Sequence, residues 1–267
     1  MKAIITVGIP LIGVLLILFS NIAISAEEKP VGVWLFDEDT GDVAEDISGN
    51  KHDGDILGGV KWTKDGRFGG ALEFDGNDGS VEVPDHADLQ FPKDTDFTLA
   101  CWLKITTPEP SPPMMVAKNY QPAQVLPWYA LYYADQGKAA TGDVSLFLRD
   151  AGGTSFHIAA GSKVDDDQWH HIVGVRDGDK IILYLDGEAK AEMGGANFDV
   201  GTNNAPLHFM SHTGRFLGGL LDEVIIYRRA LSPAEINTLM KDGYEDFAAV
   251  DPEGKVTTTW SAIKTVN

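Results

Sequence analysis

The sequence predicts an all-β protein of antiparallel strands with one short helix near its C-terminus, and three observations predict it. Short runs of β-branched and aromatic residues recur along the chain, each closed by Gly, Asp or Asn. The 29 glycines among 267 residues fall mainly between those runs, as turn punctuation. No strand-helix-strand rhythm develops, which excludes the parallel α/β enzyme architectures. A hydrophobic content of 43% supports a sizeable core and excludes wholesale disorder. One β-sandwich of roughly 200–250 residues accommodates this length.

The first element is an address. Lys2 precedes an apolar run from Ile4 to Phe19, and the small residues Ala23, Ser25 and Ala26 stand just before Glu27-Glu28-Lys29. That order predicts a secretory signal peptide over residues 1–26, cut after Ser25 or Ala26, with an uncleaved anchor helix as the alternative. The expected location is extracytoplasmic, secreted or in the cell envelope, with no membrane insertion after cleavage. No second apolar stretch reaches the roughly 18 residues of a membrane span.

Predicted strands follow at Val31–Phe36, Ala71–Phe74, Phe97–Ile105, Trp128–Tyr133, Val144–Leu148, His170–Arg176, Lys180–Leu185 and Leu220–Tyr227. Period-2 alternation places Phe97, Leu99, Cys101 and Leu103 on one core-facing side, so the single cysteine reads as a small apolar residue. Asp177-Gly178-Asp179 is a hairpin loop. Ser232-Pro233-Ala234-Glu235 has the order of a capping box with proline at the first helical position. Ile236, Leu239 and Met240 then form an apolar stripe, and Gly243 is the expected stop. Residues 245–267 show no core pattern and are expected to be a C-terminal extension of a domain spanning 27–244.

The balance of 21 Lys+Arg against 40 Asp+Glu gives a formal charge of −19. Phosphate binding draws on clustered basic residues, so nucleic acid is excluded as a partner, and anionic membrane surfaces are disfavoured for the same reason. One cysteine rules out an intrachain disulfide and a Cys-rich zinc site.

Several segments in order carry a resemblance: Trp34-Leu35-Phe36-Asp37, Asp46-Ile47-Ser48-Gly49-Asn50, Gly69 to Gly76, Phe97 to Trp102, Trp169-His170-His171-Ile172-Val173 with Leu183-Tyr184-Leu185-Asp186-Gly187, and Gly219 to Ser232. Together they resemble the laminin-G-like domain of the concanavalin A-like lectin/glucanase superfamily, in its bacterial secreted form. The resemblance implies a two-sheet antiparallel jelly-roll sandwich. It also implies binding of carbohydrate or protein, often with calcium, and in some members fusion to enzymes.

Glu73, Asp75 and Asp78 approach the carboxylate spacing of the glucanase branch, whose retaining members hold two carboxyls at about 5–5.5 Å. Gly76 interrupts the strand before Asp78, and Glu73 and Asp75 are expected to face outward, so no catalytic residue is assigned. His170 and His171 alternate across a strand and do not suit one metal. Calcium is the cofactor suggested by the oxygen-rich loop of Asp46, Ser48 and Asn50, since a hard cation takes roughly six to eight oxygens. The resemblance adds Asp222 to Asp46 and Asn50 as metal ligands; the competing role for Asp46 and Asn50 is turn capping. For ligand binding, Asn119, Tyr120 and Trp128 stand in a proline-rich connection, with Arg149, Asp150, His212 and Arg215 in loop-like stretches as polar partners. The expected function is that of a secreted, non-catalytic recognition module for a glycan or an extracellular protein. The alternatives are a glycoside hydrolase of the same fold and a structural envelope protein with no dissociable ligand.

Overall fold

The computed structural model describes residues 29–107, 114–118, 126–133, 142–212 and 214–249. The expected signal segment, Asn119, Tyr120 and the tail beyond 249 lie outside the described residues. In chain order the first strands are β1 (Gly32–Trp34), β2 (Val43–Ala44), β3 (Gly54–Leu57), β4 (Val60–Thr63), β5 (Ala71–Asp75) and β6 (Ser80–Val83). The middle of the chain supplies β7 (Phe97–Thr107), β8 (Met114–Lys118), β9 (Trp128–Tyr133), β10 (Asp143–Arg149), β11 (Ser155–Lys163) and β12 (His170–Asp177). Then come β13 (Lys180–Leu185), β14 (Glu188–Met193), β15 (Leu207–Phe209), β16 (Ser211–His212), β17 (Arg215–Phe216), β18 (Gly218–Tyr227) and helix α1 (Pro233–Ala249).

These strands form two eight-stranded antiparallel sheets and a small β16–β17 hairpin, the jelly-roll sandwich expected. The first sheet runs β14-β13-β12-β7-β18-β5-β4, with β1 also paired to β18. The second runs β11-β10-β9-β8-β15-β6-β3-β2. Alternation along β7 decides its facing. Phe97, Leu99, Cys101, Leu103 and Ile105 enter the core between the sheets, while Ala100 and Trp102 turn to the outer side. Burial pushes the Cys101 thiol up to about 12, so it packs as an apolar residue.

Two cations are fully buried among the described residues, Lys118 and Arg176, and the second closes one end of the core. Arg176 of β12 is fully buried, and its guanidinium donates to the carbonyls of Thr95 (2.8 Å from Nε), Phe198 (2.7 Å) and Pro92 (3.0 Å). It also lies over the Phe97 ring at 4.9 Å. It thereby ties two connecting segments to the end of the sandwich.

Helix α1 begins as expected. The Ser232 Oγ accepts from the Glu235 amide at 3.3 Å, and Glu235 Oε2 accepts from the Ser232 amide at 2.7 Å. Ser232→Ala should cost ~1 kcal/mol of stability; urea unfolding would check this, and an unchanged midpoint would show the box to be idle. Gly243 does not end the helix. It breaks it with φ 75° and ψ 171°, and a second helical stretch continues to Ala249. The reason is apolar burial: Tyr244 and Phe247 pack with Ile236 and Leu239 on the outer face of the first sheet, against Val33, Val173 and Ile225. The region after 244 therefore starts as part of the packed domain.

Candidate binding face on the second sheet

Cross-strand partners share a face of a sheet. On the outer side of the second sheet, register aligns Glu82, His208, Ala117, Ala130, Phe147 and His157 in one row across six strands. A neighbouring row holds Met114, Tyr132 and Ser145, and on the other flank Trp128 pairs with Arg149. The two alanines form a low floor between the rings of Trp128 and Tyr132, which lie 6.1 Å apart. Phe147 stacks on Trp128 at 4.4 Å with the planes 14° apart. The His212 ring sits 6.2 Å from Trp128 and 6.0 Å from Tyr132, and its hairpin partner is Arg215.

Burial sets the protonation of the histidines. His212 is pushed down to about 4, by burial first and then by the charges of Arg215 and His208, and burial also lowers His208. Both are neutral at physiological pH, so each offers one ring N–H and one ring acceptor. Among the described residues Trp128 Nε1, Ser145 Oγ and His208 Nε2 are enclosed polar atoms on this face with no hydrogen-bond partner, His208 Nε2 lying 4.0 Å from Glu82 Oε2. Buried polar groups without partners are rare in folded proteins, and each asks for a water or a ligand.

The expected ligand residues are thus partly assembled. Trp128 and Arg215 reach the same face through His212, but Trp128 is not an exposed loop platform. It is the first residue of β9, only 1% exposed, because its ring is stacked on Phe147 and packs in one cluster with Met114, Ala117 and Tyr132. Tyr129, Leu131 and Tyr133 fill the inner core. Phe147, Ser145 and His208 were missed. The available signal was phase: in β10, Val144, Leu146 and Leu148 take the core, leaving Phe147 as a large aromatic on the opposite side.

The expected calcium ligands are engaged by backbone and side-chain hydrogen bonds, although Asp222 Oδ1 is enclosed with no hydrogen-bond partner among the described residues. Asp46 is spent as a turn organiser: Oδ1 accepts from the amides of Val33 and Ser48, both at 2.9 Å, and Oδ2 accepts from the Ser48 hydroxyl at 2.8 Å and the His52 amide at 2.9 Å. Asn50 turns its side-chain amide donor to the Val31 carbonyl at 3.1 Å. Asp222 Oδ2 accepts from the amides of Arg67 (2.8 Å) and Phe68 (2.9 Å), a different segment of chain. Among the described residues no group of three His, Cys, Asp or Glu side chains is placed to hold a metal ion.

Glu73 and Asp75 are exposed at the end of β5 on the first sheet. Asp75 collects the amides of Asn77 (2.8 Å), Asp78 and Gly79 (both 3.3 Å), and the Asn77 bond in particular holds its carboxyl below the usual range. That is the geometry of a turn cap. His170 is bonded to Asp186 (2.8 Å) and Asp166 (3.0 Å), while His171 points to the opposite side beside Trp102, with burial taking it down to about 3.

Solved structures share this architecture. The binding domain of Paraclostridial Mosquitocidal Protein 1 superposes with TM-score 0.63 at 18% identity, over 79% of this chain and 52% of that one. Domain 4 of AbnA, a GH43 extracellular arabinanase from Geobacillus stearothermophilus solved in complex with arabinotriose, gives TM-score 0.62 at 21% identity, over 80% of this chain and 99% of that one. The receptor binding domain of botulinum neurotoxin C/D mosaic serotype gives 0.61 at 12% identity, over 80% and 51%. The chain thus spans about half the length of the two toxin domains. No curated protein sequence matches it significantly. No helix among the described residues is long and apolar enough to cross a membrane. Residues 75–237 match the laminin-G model of the concanavalin A-like lectin/glucanases superfamily, and with more than half of its length covered the chain belongs to that superfamily.

Proposed function

We propose that the protein is a non-catalytic recognition module that binds carbohydrate through the outer face of its second sheet. The observation that carries this reading is the set of enclosed, unpartnered polar atoms, Trp128 Nε1, Ser145 Oγ and His208 Nε2, around the half-buried Phe147 ring. Sugars offer apolar ring faces to aromatic side chains and hydroxyls that both donate and accept. Neutral histidines and a serine hydroxyl answer both needs without net charge. The arabinotriose complex of AbnA domain 4 supports the carbohydrate reading, and the toxin binding domains support recognition more broadly. The outward, turn-capping role of Asp75 favours binding over hydrolysis. Export from the cytoplasm rests on the apolar segment of residues 1–26 alone, and the reading does not use calcium, since Asp46 and Asn50 hydrogen-bond within their own loop and to the start of β1.

A glycan array, with arabino-oligosaccharides included and followed by calorimetric titration, tests the proposal. His208→Ala and Phe147→Ala should each weaken binding at least tenfold, with melting temperature largely retained in His208→Ala. Chain shortening of a polysaccharide that disappears in Glu73→Gln would replace this reading by a hydrolase. Unchanged binding in both variants would place the site elsewhere.

A further inference from the structure

At the break in α1 the helix faces the first sheet across a cleft of about 220 Å³. Five carboxylates border it: Asp37, Glu223, Asp242, Glu245 and Asp246. Leu35 and Phe68 supply apolar walls, and no lysine, arginine or histidine lines it. Lys241 approaches Asp242 at 3.5 Å from the solvent side, and the Arg67 guanidinium lies over the Phe68 ring at 4.7 Å.

The independent sign of a ligand is Glu223. It occupies the register break of β18 and is only 4% exposed. Its Oε1 accepts from the Tyr244 amide at 2.8 Å, whereas the enclosed Oε2 has no hydrogen-bond partner among the described residues. Burial pushes its pKa up to about 7 and the charges of Asp37 and Glu245 add to this, against the Tyr244 amide and the smaller effect of the Arg67 charge. An enclosed carboxylate oxygen beside other carboxylates is costly unless positive charge reaches it.

A bare metal ion does not match the arrangement. Calcium gathers roughly six to eight oxygens around a point, and no three of these carboxylates converge in that way. Spread-out acceptors with apolar walls suit instead a cation whose N–H donors are spread on an alkyl stem. We propose that this cleft binds an organic cation, the guanidinium or ammonium of a free amine or of a basic side chain on a partner.

Calorimetric titration of the full chain at low salt with agmatine, and separately with acetyl-Gly-Arg-Gly-amide, tests this. Saturable one-to-one binding is expected. It should weaken at least tenfold in Glu223→Gln and in the exposed double variant Glu245→Gln/Asp246→Asn, which spares the buried packing. Asp177→Asn/Asp179→Asn removes the same charge as that double variant but lies away from the cleft, and should bind like the parent. Binding of agmatine alone identifies a small-amine site; binding of the peptide as well identifies a site open to a protein side chain. Equal weakening in the two double variants would reduce the effect to general attraction by an acidic chain and overturn the proposal. So would absence of saturation, or tight calcium binding that displaces agmatine.

Discussion

Stability should fall as pH rises from about 5 to 9, and Asp222→Asn should remove much of that fall. Burial of the Asp222 carboxyl raises its pKa from 3.8 to about 8, and the neighbouring Glu223 charge adds to this against the two amides it accepts. A raised folded pKa means that the folded state prefers the neutral acid. The stabilisation is complete below the unfolded value and is lost as pH climbs through the folded one. Glu223, raised to about 7, acts in the same direction. Each tenfold gain in proton affinity on folding corresponds to ~1.4 kcal/mol, so the buried pair imposes a penalty on the order of a few kcal/mol at alkaline pH. Asparagine keeps an acceptor for the Arg67 and Phe68 amides and carries no charge. Urea unfolding of parent and variant across that range checks the expectation: the variant should gain relative to the parent as pH rises, and parallel profiles would refute it.

Arg176→Met is expected to destabilise the protein by roughly 3–5 kcal/mol, because each buried acceptor left without its donor costs about 1–3 kcal/mol. Methionine keeps much of the volume but leaves the carbonyls of Thr95, Pro92 and Phe198 without their donor inside the sandwich. At this size the loss corresponds to a melting temperature lower by roughly 10–15 °C. A calorimetric scan reads it directly, and a change within roughly 2–3 °C would mean that water replaces the guanidinium at little cost.

What the sequence made legible was whatever alternation or local hydrogen bonding determines. The inward face of β7, the hairpin before β13 and the capping box of α1 depend on neighbours close in sequence, and each appears as expected. Strands such as β14, with the helix-favouring residues Glu188, Ala189, Lys190 and Ala191, are strands only because β13 offers a ladder to pair with. The stop at Gly243 failed for a similar reason, since Phe247 finds an apolar surface that the helix pattern does not announce. The binding face was half visible. Aromatic density marked Trp128, but the row containing His208 and Phe147 joins strands that lie far apart in the chain. The acid residues were ambiguous because a carboxylate that gathers backbone amides, as Asp46 does, looks in sequence like one that gathers a cation.

The placement of β1 and α1 has a directional outcome. Both pack on the first sheet, β1 along β18 and α1 over its outer surface. The described ends of the chain therefore both run along the first sheet, and the row from Glu82 to His157 belongs to the second. A fusion made at either of these described ends would lie on the side opposite the proposed binding face. Such a layout would let a fusion be tested without obstructing that face.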